Sequence, residues 1–226
     1  LAGYNIDSSL IRSLDRDSAT PEVISAAYAR ISRSSKSISE LRVEALADVA
    51  KARKSNQTIV FDLGHASVAE HAVFNFDVIG VSRLVTESME TLRFASFTEK
   101  SQRYVTFSRD YVIPEELSAP VHAKLKAKYL RVMDALFAEY QASFEALKTL
   151  YTSRISDLPA RAREGMAKED ARYILPLATK TQLGMTINAR SLENLLRRLV
   201  NDPLNEAREL YAELLKPAKE LCPSLV

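Results

Sequence analysis

Gly64-His65-Ala66-Ser67-Val68-Ala69-Glu70-His71-Ala72-Val73-Phe74, followed further on by Arg93-Phe94-Ala95-Ser96-Phe97-Thr98-Glu99-Lys100-Ser101-Gln102-Arg103-Tyr104, is the stretch that decides how this chain folds. Between the two runs the residues alternate, with Phe74, Phe76 and Val78 on one face and Asn75 and Asp77 on the other, the period of a half-buried strand. Gly80 is expected to close that strand. Ahead of it, the apolar run Ile59-Val60-Phe61 passes at Gly64 into a new helical segment. Unpartnered N–H groups at a helix start, with His65 and Ser67 beside them, suit a phosphate or a ring carbonyl. Taken alone, the residues fit equally a Ser67 that caps the helix and a His65 that bonds a carbonyl. For Glu70 and His71 a packed structural contact and a functional role stay open.

The second run gathers the cations Arg93, Lys100 and Arg103 with the neutral donors Ser96, Thr98, Ser101 and Gln102, and with Phe94, Phe97 and Tyr104. Arg presents a planar fork to phosphate, and hydroxyls complete the oxygen shell, so the mix suits a nucleotide. A solvated loop after a helix has the same composition.

Working outward, Thr20-Pro21-Glu22 is a helix start, with Thr as cap and Pro at the first helical position. Ser37 and Glu40 form a capping-box pattern leading into Leu41, Val43, Leu46, Val49 and Ala50, so two helices are expected before residue 55. Leu125, Tyr129, Val132, Leu136, Tyr140, Phe144 and Leu147 recur at three- or four-residue intervals, which predicts one long amphipathic helix over 121–151. Its apolar stripe is longer than a small domain covers, pointing to burial against a partner subunit. A second strand is expected over 179–187, then helices over 189–200 and 204–221.

Composition bounds the class. The 226 residues are 46% hydrophobic and 27% charged, which is globular and enough for one large core. With 31 basic against 29 acidic residues there is no general field for nucleic acid or an anionic membrane, so any anion site is local and the partner is a small molecule. No apolar run approaches the roughly 20 residues that span a bilayer, and no signal pattern opens the chain, although it begins at Leu1 rather than Met and leaves room for upstream sequence. The single Cys222 cannot form an intrachain disulfide, so a cytoplasmic protein is expected. Three His without a second ligand cluster predict no metal.

Four segments in order carry a family resemblance. Gly64-His65-Ala66-Ser67-Val68-Ala69-Glu70-His71 resembles the Gly-His-x-Ser/Thr-x-x-Glu-His segment of the flavin-dependent thymidylate synthases; Ser101-x-Arg103 resembles their Ser-x-Arg; Ala171-Arg172-Tyr173-Ile174-Leu175-Pro176 their Ala-Arg-x-x-Leu-Pro; and Asn188-Ala189-Arg190 with Asn194 their Asn-x-Arg and following polar residue. The resemblance implies an α+β fold, a central antiparallel sheet flanked by helices, in a single domain over residues 1–226. It also implies a homotetramer that methylates dUMP to dTMP with bound FAD, methylenetetrahydrofolate and NADPH. It assigns His65, Ser67, Arg93, Asn188, Arg190 and Asn194 to the cofactor, and Glu99, Ser101, Arg103, Arg172 and Arg198 to the substrate. Arg93 and Ser101 carry the catalytic assignments. Cys222, with no His near it in sequence, is expected to be structural rather than a nucleophile.

The family's Arg-His-Arg triplet reads Thr91-Leu92-Arg93 here, and Ser88 stands where members have Gln. Strict register puts a further family Arg on Leu199, with Arg198 one residue early, an offset of about 100 degrees around a helix. The expected losses fall on the substrate side, on one helix. Three functions therefore compete: a thymidylate synthase that is slow or compensated by another chain, a diverged FAD- or nucleotide-binding flavoprotein with weak, different or no such activity, and an inactive partner subunit.

Overall fold

The computed structural model describes residues 4–6, 11–13, 20–31 and 34–226. Most of the first 19 residues, on which the reading of no signal pattern rests, lie outside this set. A short antiparallel hairpin pairs β1 (Tyr4–Ile6) with β2 (Ile11–Ser13). Three longer strands, β3 (Val73–Ser82), β4 (Ala95–Glu99) and β5 (Lys180–Asn188), form an antiparallel sheet in the order β3-β5-β4. Helices make up most of the rest, so the expected α+β class with a helix-flanked antiparallel sheet is what forms. The chain divides into two compact units, one of Leu1–Phe76, Leu92–Ser96 and Met185–Val226, the other of Asp77–Thr91 and Phe97–Gly184.

In the first unit, α1 (Pro21–Ile31) starts as expected: Thr20 Oγ1 accepts from Val23 N at 3.4 Å, and Pro21 leads the helix. The capping box at Ser37 and Glu40 also forms. The helix it starts does not run on to Ala50, however. It stops as α2 (Ile38–Ala47), and α3 (Val49–Gln57) restarts because Asp48 Oδ1 accepts from Lys51 N at 2.9 Å. Three helices therefore stand where two were expected. Val23, Ala26, Ala27, Ala45 and Ala52 pack them together. The buried Glu22 carboxylate ties them to the end of the chain, accepting from Arg53 Nε at 2.6 Å, Ser224 N at 2.8 Å and Ser224 Oγ at 2.6 Å. Cys222 is buried beside this node as the cap of α8 (Asn205–Leu221); burial pushes its thiol up to about 12, Glu22 adding to the rise and Arg53 opposing it. The structural role expected for it fits.

After a π-helical turn (Thr58–Asp62), Gly64 takes φ +72°, a conformation open to glycine. The next element is a 3-10 helix of six residues, Ala66–His71, and not the start of a longer helix. It packs against α1 and against α7 (Ala189–Val200). The 189–200 helix was expected at these bounds, and Asn188 caps it, its Oδ1 accepting from Ser191 N at 2.8 Å.

In the second unit, Gly80 does not end β3. The strand continues to Ser82, and the inward set shifts from Phe74 and Val78 to Val81 as the alternation slips one residue at Ile79–Gly80, where Gly80 has φ +79°. That slip is what a bulge produces. Ser82 then caps α4 (Arg83–Glu90). The long helix forms as α5 (Ala123–Arg154), 32 residues, and packs on α6 (Ala160–Ala171), which periodicity did not reveal. Its inner seam is Met133, Phe137, Tyr140 and Phe144, so Tyr140 and Phe144 lie inside as read while Leu125 and Val132 stay exposed. Tyr140 Oη also accepts from Phe107 N at 3.3 Å.

Candidate functional site

The candidate residues fall into two sets, one per unit. In the first unit the 3-10 turn and α7 bring Glu70 to Arg190, and the two form an ion pair across 120 residues of sequence. Asn194 is exposed one turn beyond Arg190 on the same face of α7, while Ser191, Leu192, Leu195 and Leu196 face inward. His65 and Ser67 are exposed on the facing turn, and neither side chain caps it: His65 holds its place through its backbone, N to Ile59 O at 2.9 Å. The segment is a six-residue 3-10 turn rather than the start of a longer helix, and the side chains of His65 and Ser67 are left exposed beside it. Arg93, Ser96 and Asn188 share a cavity of about 350 Å³ with Glu70. His71 packs edge-on against Tyr28, with ring centroids 4.7 Å apart, the structural contact that the residues alone left open. On α7, Leu199 is 1% exposed and Arg198 is exposed, so the one-residue offset does turn Arg198 away from the inward position.

The second unit holds the other set. The segment whose composition also fitted a solvated loop contains β4, and the strand's last residue, Glu99, forms an ion pair with Arg83 at the start of α4. Ser101 closes a turn: its Oγ accepts from Arg103 N at 3.2 Å, and its carbonyl accepts from Val105 N at 3.1 Å. The turn aims Arg103 at α6. There Glu169 Oε1 lies 3.6 Å from Arg103 and 3.8 Å from Arg172, whose Nε also donates to the Glu169 carbonyl at 3.2 Å. Arg103 thus reaches a cavity of about 650 Å³ lined also by Tyr104, Arg161, Lys168 and Glu169. Each arginine lies over the ring that follows it, Arg103 over Tyr104 and Arg172 over Tyr173. Sequence reasoning missed Arg83 and Glu169; the second was findable as an acid three residues, about one helical turn, before Arg172, which caps α6.

The altered triplet does not lie on one helix. Ser88 is in α4, Thr91 is its C-cap, and Leu92 follows it. Thr91 Oγ1 donates to the Ser88 carbonyl at 2.8 Å, so the hydroxyl serves its own helix end. Among the described residues no group of His, Cys, Asp and Glu is arranged to hold a metal ion, and no helix is long and apolar enough to cross a membrane.

The model of the family described as thymidylate synthase complementing protein matches residues 13–224. The chain belongs to the flavin-dependent thymidylate synthase family. It is 32% identical over 206 residues to the flavin-dependent thymidylate synthase of Geobacter sulfurreducens, covering 91% of this chain and 80% of that one, and 31% identical over 209 residues to that of Clostridium tetani, with the same coverage. Among solved structures it is similar to the UMP/dUMP methylase PolB of Streptomyces cacaoi bound with 5-Br dUMP, with a TM-score of 0.69 at 20% identity, over 90% of this chain and 87% of that one. That likeness speaks for the flavin-dependent thymidylate synthase fold.

Proposed function

We propose that this chain binds FAD and methylates dUMP to dTMP, taking the carbon from methylenetetrahydrofolate and reducing power from NADPH. The observation that carries the reading is the convergence of Arg103 and Arg172 on one carboxylate beside an open cavity. Two guanidinium forks aimed at one oxygen make a ready phosphate grip once a stronger anion arrives. Ser101 holds the turn that aims the first fork and offers its hydroxyl there, and Glu99 stiffens the strand leading into it.

The first unit's donors fit a flavin dinucleotide. Arg190 brings a cation for a diphosphate, and Asn188, Asn194, Ser67 and His65 bring neutral donors and acceptors of the kind ring carbonyls and ribityl hydroxyls take. Bound there, the reduced flavin would supply the hydride. Arg93, the surviving cation of the triplet, is assigned the electrostatic role toward the pyrimidine, and Arg198 a secondary contact to the substrate. We further assign the 226 residues to one working domain, in the cytoplasm, assembled as a homotetramer; exposed Val121, Leu125, Val132 and Leu150 on and beside α5 supply an apolar surface for that assembly.

A diverged flavoprotein with weak or different chemistry is the second reading, and Thr91 favours it. Its hydroxyl is committed to Ser88, and it brings no charge to the ring. One preparation tests both readings. A visible flavin spectrum, with dTMP formed only when dUMP, NADPH and the folate are all present, is the expected result, and light scattering on the same sample reads a tetramer. Bound flavin without dTMP selects the second reading, and a protein that takes up no FAD when soaked in excess removes both.

A further inference from the structure

Glu169 lies within the proposed phosphate grip, where a carboxylate competes with the phosphate. Its Oε1 stands between two guanidiniums at 3.6 and 3.8 Å, both beyond the 2.7–3.2 Å range of an N–H···O hydrogen bond. The carboxylate is therefore held by charge rather than by tight hydrogen bonds. The cavity's other acid, Glu164, is already met by Lys168 at 2.7 Å. Glu169 is thus the anion that faces Arg103, and all three groups are part-exposed, so the pairs are weak ones.

We infer that Glu169 is a stand-in for the substrate's phosphate, occupying both cations until a dianionic phosphate displaces it, and so making the phosphate a condition of binding. The inference rests on the proposed reading that Arg103 and Arg172 bind the nucleotide. A phosphate brings more charge and three oxygens, enough to bond both forks at once, whereas Glu169 meets both through Oε1 alone, at 3.6 and 3.8 Å. A nucleoside without phosphate has nothing to exchange for Glu169 and leaves the pair closed. Glu169 is on this view a specificity-determining residue that works by opposing the ligand.

Titration calorimetry on the whole chain tests this with inorganic phosphate, dUMP and deoxyuridine as probes, comparing the unaltered protein with Glu169→Gln. Removing two exposed ion pairs tightens phosphate and dUMP by about twofold to thirtyfold and leaves deoxyuridine unchanged. Glu169→Ala gives the same direction, so either folded variant suffices. A residue that merely supports the fold would lose affinity when replaced. Phosphate binding that is unchanged or weaker in the folded variants overturns the inference, as does deoxyuridine tightening by the same factor. The phosphate arm needs neither flavin nor folate, so its outcome stands whether or not dTMP forms.

Discussion

The two sets of polar residues differ in how their charges are already spent. In the first unit Arg190 and Glu70 form a single exposed pair, and Asn188 is bound into the cap of α7 while still reaching a cavity. In the second, Glu99 is drawn to Arg83, Thr91 to Ser88, and Arg103 and Arg172 divide one carboxylate. The first set keeps its Gly-His-x-Ser and Asn-x-Arg residues while Leu92 and Leu199 stand where the family has His and Arg, and the second has lost the charge at Thr91 and gathered internal partners. Motif residues that survive are therefore not equally available, and availability depends on the neighbours the fold supplies.

The largest test strikes at the altered triplet. Thr91→Arg with Leu92→His restores a charge-stabilising donor and should raise dTMP formation by about 10²–10³, roughly 3–4 kcal/mol of barrier, measured as NADPH- and folate-dependent turnover. A parent enzyme already turning over at about one per second or faster, with no gain from the pair, would show that Arg93 or Arg198 supplies the missing charge.

A crossed pair of replacements sharpens the contrast at the level of binding. Arg103→Ala should weaken dUMP by about thirty- to a hundredfold and leave the flavin spectrum intact, as expected for loss of charge-assisted hydrogen bonds. His65→Ala with Arg190→Ala should do the reverse, yielding colourless protein that still binds dUMP. Equal loss of both ligands in either variant would erase the division between the sets.

The smallest effect concerns Cys222. Its thiol is raised to about 12 from an ordinary 9.0, so it stays protonated in the folded protein at pH 8 and should react with an aromatic disulfide reagent only on unfolding. Because the folded value is the higher, the associated stability is full below pH 9 and is lost as pH rises toward 12. Rapid labelling of native protein at pH 8 would mean that the Glu22 node opens.

Much of this architecture could be read beforehand where a strong period met a cap. The helix α7 appears at its expected bounds because its leucines repeat every three or four residues behind Asn188, a natural N-cap. By contrast, α6 buries only Ala167 and Ala171, side chains too small to mark a stripe. The alternation Ala95, Phe97, Glu99 in β4 was hidden because its polar residues were read as ligand donors. The break at Asp48 needed only its cap to be weighed against the apolar run around it. At the site, residue types could be named from motifs, but the pairs Arg190–Glu70 and Arg103–Glu169 join positions 120 and 66 apart and arise only from tertiary packing.

The Glu22 node carries a consequence for how the chain is made. Arg53 meets one oxygen of its carboxylate, but the other is satisfied by Ser224, 202 residues later, so during synthesis α1 emerges long before that second partner exists. A carboxylate cannot be buried without its donors except at a cost of several kcal/mol. On the ribosome, then, α1 has to stay solvated or be shielded by a chaperone until Ser224 has emerged, and closure of this corner becomes a late event in the protein's synthesis.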